Sequence, residues 1–227
     1  ESPRDDWTPF TTGAMNYTTW APGRYEKIND NSDPNVANPA GFQFAPFDYQ
    51  VEKFLLPMKA RLAARGEVLH INVEYVDFNW SGTRQGTLSH ATNSAEFAEF
   101  VLVYFQRLRD KYGITPDAFE VILEPENTQS WTGANIGRGL VAVAARLAAN
   151  GFHPEFIAPS TANMGHALAY FNAVVAVPGA GNLVSTIAYH RYGGESPANA
   201  QAIRNAAAAR GIKTAMLEKV GAGIDEL

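Results

Sequence analysis

The stretch Phe119-Glu120-Val121-Ile122-Leu123-Glu124-Pro125-Glu126-Asn127 decides the fold. Residues 119–123 read as a buried strand, and period-two alternation puts Phe119, Val121 and Leu123 on one face. Glu120, Ile122 and Glu124 then share the other. The strand runs out into acidic residues and a proline rather than a Gly-rich phosphate turn. Before it, 94–112 has the apolar spacing of an amphipathic helix stopped by Gly113; after it, 136–150 is an Ala/Leu-rich helix stopped by Gly151. A strand held between two long helices needs crossover connections, and those build a parallel sheet.

The same alternation extends in both directions. Strands are expected over 12–17, 68–75, 156–159, 184–189 and 213–217. Helices are expected over 47–65, 165–177 and 196–210, with Gly66 and Gly211 as stops. In 47–65 the residues Val51, Phe54, Leu55, Met58 and Leu62 keep helical spacing. An open nucleotide-binding sheet would carry G-x-G-x-x-G or G-x-x-x-x-G-K-[ST] after a strand, and neither occurs. The Gly-containing segment 177–181 follows a helix and reads as a turn. Glu, His, Asn and Trp instead follow the strands, the habit of a closed barrel with its site at the strand C-termini. The fold expected is therefore α/β of the (β/α)8 TIM-barrel type, with about six βα units in a single partial barrel over 1–227.

Alternation also selects the inward faces. His70, Asn72 and Glu74 share one side of 68–75, opposite Leu69, Ile71 and Val73. Ala188, His190 and Tyr192 face in while Tyr189 faces out, and Thr214, Met216 and Glu218 share the inward side of the last strand. Polar groups inside a barrel are costly unless they are paired or lie near the solvated mouth. Glu124 and Glu218 thus end two different strands on the inner side. Two carboxylates flanking one space are the apparatus of glycosidic bond cleavage, one donating a proton and the other stabilising or attacking the anomeric carbon.

These segments resemble clan A glycoside hydrolases, particularly families 30 and 39. Residues 119–127 resemble the fourth strand, which ends there in Asn-Glu-Pro with Glu as acid/base. Residues 188–192, Ala-Tyr-His-Arg-Tyr, resemble the sixth, whose Tyr bonds the nucleophile. Residues 213–218, Lys-Thr-Ala-Met-Leu-Glu, resemble the seventh, which carries the nucleophile. The resemblance implies that Glu124 is the acid/base and Glu218 the nucleophile of a retaining double displacement, with Tyr192 and His190 donating to Glu218. It also implies that the first and eighth strands are missing. Leu123 stands where the clan has an Asn that binds the sugar 2-hydroxyl: either Asn72 or Asn127 covers that position, or the substrate differs there, or the site is not catalytic. Trp20, Trp80 and Trp131 fall in loops after strands and are expected as stacking platforms for sugar rings.

Composition limits the partners. There are 18 basic and 23 acidic residues, a net charge of −5, which disfavours nucleic acid or an anionic membrane as the main partner. No apolar run is long enough to span a bilayer. The chain has no cysteine, so disulfides and thiolate chemistry are excluded. No cofactor is expected, and the partner expected is an oligo- or polysaccharide. A start at Glu1 without a leader reads either as a processed, secreted or periplasmic protein or as an excerpt of a longer chain. Asn16-Tyr17-Thr18 and Asn79-Trp80-Ser81 match glycosylation sequons at the expected mouth and read as chance matches or substrate contacts. Two rival readings remain at this stage. One is a glycan-binding barrel without turnover; the other is a metal-dependent hydrolase drawing on His70, Glu74, Asp77, His90, Glu124 and His190.

Overall fold

The computed structural model describes residues 2–3, 25–26, 29–42, 44–78, 88–128 and 130–220. The strand expected over 12–17, together with Trp20, Trp80 and both sequons, lies outside them. The chain forms two compact units, 1–71 with 79–89 and 72–78 with 90–227.

The first unit contains a short antiparallel pair, β1 (Ser2–Pro3) and β2 (Tyr25–Glu26), which the sequence reading did not anticipate. Its helical segment begins as α1 (Ala45–Gln50) and passes through a π turn (Val51–Leu55) into α2 (Leu56–Ala63). The cause is Pro57. Proline cannot donate to the carbonyl four residues back and its ring crowds that turn, so the helix takes in one extra residue ahead of it. The Leu56 N–H accordingly bonds the Val51 carbonyl, five residues back. This insertion rotates the expected apolar stripe: Val51 is buried, but Phe54 and Met58 are 62% and 51% exposed. Gly66, at φ 76, ends the segment as expected.

The second unit is a five-stranded parallel sheet curled as half a barrel, with helices on its outer side. The strands are β3 (Asn72–Glu74), β4 (Ala118–Glu120), β5 (Glu155–Ile157), β6 (Val184–His190) and β7 (Lys213–Glu218), paired in that order. Between them run α3 (Ser94–Tyr112), α4 (Gly133–Ala149), α5 (Ala167–Val175) and α6 (Pro197–Ala208). Three of the four helix starts are capped by a side chain: Asn93, Thr132 and Ser196 accept the orphan N–H of the third residue into α3, α4 and α6. Gly113, Gly151 and Gly211 supply the left-handed conformation just past the ends of α3, α4 and α6. Gly137 allows α4 to approach the end of α5, since a Cβ there would stand 2.8 Å from the Val174 carbonyl oxygen.

Two apolar layers flank the sheet. The larger, on the helix side, joins Phe97, Val101 and Phe105 of α3 and Ile136 and Leu140 of α4 to Phe119, Val121, Phe156, Val184 and Ile187 of the strand segments. The smaller, on the inner side, is Ala118, Ile157 and Ala188. Above it the inner face turns polar.

Several face assignments need correction. The strand expected over 68–75 pairs only at 72–74 and forms an edge of the sheet, and Val68 is 95% exposed. Ile122, expected inward, joins the helix-side core, because the ladder ends at Glu120 and the chain bends at 121 and 123. Thr214 and Met216, also expected inward, pair with Ile187 and Tyr189, which face the helices. Leu217 is then an extra residue in the β6–β7 ladder, so His190 pairs with Glu218 instead of Leu217. A one-residue bulge switches the face of everything beyond it. That bulge brings Glu218 to the inner side.

Candidate active site

Glu124 follows the bend after β4 and adopts left-handed backbone angles, φ 45 and ψ 65. Pro125 opens a 3-10 turn immediately afterwards, and this folds Asn127 back so that its amide donates to Glu124 Oε2 at 2.7 Å. The other oxygen, Oε1, lies 2.8 Å from His190 Nδ1 on β6. Glu124 is 8% exposed and His190 is fully buried. His190 Nε2 has no hydrogen-bond partner among the described residues.

Glu218 ends β7. Its Oε1 accepts from the Tyr192 hydroxyl at 2.7 Å, and the Tyr192 oxygen in turn accepts from the Val220 N–H at 3.0 Å. The bond to Glu218 raises the phenol pKa, and burial and the charges of Glu218 and Glu124 add to the rise. The phenol therefore keeps its proton and serves as the donor. Ligand atoms of Glu124, His190 and Glu218 all lie within 4.8 Å of one another. This brings together the four residues read from the strand ends, with one correction. His190 bonds Glu124, not Glu218, because its ring reaches across to the β4 end while Tyr192, two residues on, reaches the β7 end.

Deeper on the inner face sit two further carboxylates. Glu120 is 1% exposed, and its oxygens accept from Ser160 Oγ at 2.5 Å and from Asn72 Nδ2 at 3.1 Å. Burial raises its pKa, and those two donors oppose the rise. Glu74 pairs with Glu120 across β3 and β4. Its pKa is pushed up to about 7, first by desolvation and then by the charges of Glu120 and Glu218, with His190 opposing. The residue as a whole keeps solvent contact while its carboxyl is crowded by protein.

The remaining expectations divide. Asn72 and Asn127, expected to meet a sugar hydroxyl, spend an amide N–H on Glu120 and Glu124. Trp131 is not a rim platform. It is 2% exposed, packs edge-on to Tyr75 and Phe97 in the helix-side core, and donates from Nε1 to Asp77 at 2.8 Å. A tryptophan after a strand also suits the gap where a helix begins, and here the core takes it. Asp77 is committed to that tryptophan, and His90 bonds the Tyr75 hydroxyl at 2.8 Å among the rings of Phe97 and Phe100. These two do not join Glu124 and His190 on the inner face, so the rival metal set does not assemble as read from the sequence; Glu124, His190 and Glu218 are the group there whose ligand atoms could hold an ion. The sequence reading gave no role to Glu120 and did not notice Ser160, whose part depends on backbone angles that a serine does not advertise. A cavity of about 540 Å³ lies away from the carboxylates, lined by Tyr189, Met216 and residues leading into α6.

No protein-family model matches the sequence, and no curated protein sequence matches it. Among solved structures, the chain is similar to the catalytic domain of GH30 xylanase C from Talaromyces cellulolyticus, with a TM-score of 0.51 at 14% identity. The likeness is one of fold. It covers 73% of this chain and 41% of that catalytic domain, so the chain spans less than half the length of its neighbour.

Proposed function

We propose that the inner face carries the site of a retaining glycoside hydrolase acting on an oligo- or polysaccharide. The observation that supports this reading is the meeting of Glu124 and Glu218 within 4.8 Å, oxygen to oxygen, at the ends of β4 and β7. Retaining enzymes hold their carboxyl groups about 5–5.5 Å apart, whereas inverting ones leave about 6.5–9.5 Å for a water. The short spacing favours direct attack.

In the first step a Glu218 oxygen forms a bond to the anomeric carbon as the bond from that carbon to the leaving oxygen breaks. Glu124 gives its proton to that oxygen. In the second step Glu124 takes a proton from water, the water oxygen bonds the anomeric carbon, and Glu218 departs as carboxylate. The two groups have different surroundings, as two different roles require. Tyr192 donates to Glu218 and fixes the position of its Oε1. Asn127 donates to Glu124 in either protonation state. His190 Nδ1, 2.8 Å from Glu124 Oε1, holds that oxygen in place. A glycan substrate of this kind accords with a secreted or periplasmic protein.

The test is a screen of aryl glycosides and polysaccharides for product release, with the anomeric configuration of the product read by NMR. Release with retained configuration is expected, and both Glu124→Ala and Glu218→Ala should abolish it. Azide should restore part of the Glu124→Ala rate by attacking the glycosyl-enzyme in place of activated water. Full activity in either variant would rule the assignment out. Leu123, buried beside Glu124 with no polar side-chain atom, favours a second reading, a glycan-binding barrel. Saturable glycan binding without turnover would support it.

A further inference from the structure

We infer that Ser160 and Glu120 are positioning residues that hold the Glu124 carboxyl in its working pose; the inference rests on reading Glu124 as the proton-transferring group. Among the described residues, two non-glycine positions have left-handed backbone, Glu124 at φ 45 and Ser160 at φ 56. They are bonded to each other, the Glu124 N–H donating to the Ser160 carbonyl at 2.9 Å. A left-handed conformation is disfavoured for residues with a Cβ and persists only where the surroundings over-determine it. Here two such residues at the ends of adjacent strands fix each other.

Ser160 is itself held on three sides. Its N–H donates to the Ala188 carbonyl of β6 at 3.1 Å, and its carbonyl takes Glu124. Its Oγ donates to Glu120. Glu120 adds Asn72 of β3 through its second oxygen, and its carbonyl accepts the Tyr75 N–H at 3.2 Å. The Tyr75 carbonyl then accepts the Leu123 N–H at 2.9 Å, one residue before Glu124. One buried carboxylate thus ties together the ends of β3, β4 and β5 directly beneath Glu124. For stability alone, an apolar side chain would serve as well or better, because burying a carboxylate carries a desolvation cost. Positioning accounts for its presence. Neither Ser160 nor Glu120 donates to or accepts from the Glu124 carboxyl itself, so both act through the backbone.

The experiment compares the full chain with Ser160→Ala, Ser160→Gly and Glu120→Asp. The primary readout is the Glu124 carboxyl titration by 13C NMR, which requires no substrate; melting temperature is recorded beside it. Ser160→Ala should move the Glu124 midpoint by ~0.5 pH unit or more, and Ser160→Gly, which also lacks the hydroxyl but adopts left-handed backbone without strain, should move it likewise. Glu120→Asp, which keeps the charge but withdraws the carboxylate from Ser160, should move it in the same direction and carries the test if Ser160→Ala does not fold. On any glycoside the protein cleaves, Ser160→Ala should lower kcat about tenfold or more with KM within about twofold, the mark of a misplaced reacting group. If both Ser160→Ala and Glu120→Asp lower the melting temperature but leave the Glu124 titration unchanged, the inference is overturned. If no glycoside is cleaved, the hydrolase reading fails, while the titration still decides whether these residues position Glu124.

Discussion

The two carboxylates at the centre of the site are held by opposite means. Glu124 is nearly buried, with both oxygens bonded and its backbone tied to a neighbouring strand end. Glu218 sits on the edge strand β7, half-buried, and its hydrogen-bond donor among the described residues is the hydroxyl of Tyr192, a residue 43% exposed. The β4 side places its carboxyl through a rigid, redundant framework, and the β7 side through a bulge and a single phenol. A group that must both give and take a proton benefits from fixed geometry. Under the proposed mechanism Glu124 has that task, while Glu218 needs mainly to reach the anomeric carbon.

This contrast predicts unequal sensitivity to losing one partner. Tyr192→Phe removes a donor with no evident substitute and should lower kcat about 10- to 100-fold. Asn127→Ala leaves His190 on Glu124 and should cost less, about threefold to tenfold. Equal losses in the two variants would break the comparison.

A smaller effect sharpens it. Glu74 lies beneath both carboxylates with a pKa raised from 4.5 to about 7. A raised folded-state value means the associated stability is fully present below about 4.5 and is lost as pH rises through about 7. Glu74→Gln cannot ionise and escapes that loss. Its melting temperature relative to the natural chain should therefore climb between pH 5 and pH 8, by no more than about 2 °C given solvent screening. A difference that stays flat over that range would show that the crowding of charge does not reach Glu74.

Much of this architecture was legible from the residues alone. The helix α3 occupies the expected 94–112, and Gly113, Gly151 and Gly211 end helices where they were expected to, because a glycine stop is a local backbone preference. Strands followed by polar residues marked the inner rim, and Glu124, His190, Tyr192 and Glu218 meet there. Features that depend on one inserted residue were not legible. The π turn ahead of Pro57 moved Phe54 and Met58 into solvent, and the Leu217 bulge brought Glu218 inward while Thr214 and Met216, before it, face the helices. Strict alternation placed Glu218 inward together with Thr214 and Met216; the ladder separates them. Trp131 shows another limit, since a loop tryptophan looks the same in sequence whether it meets a sugar or plugs a core. His190 was assigned to the wrong carboxylate because spacing along one strand does not say which neighbour a ring will reach.

The most direct measurement is covalent trapping with a panel of 2-deoxy-2-fluoroglycosides, followed by peptide mapping of the adduct. The account predicts a single glycosyl ester on Glu218, formed slowly in Glu124→Ala and absent in Glu218→Ala. An adduct on another residue, or hydrolysis by the natural chain that proceeds with inversion and leaves no adduct, would contradict the pairing of these two glutamates.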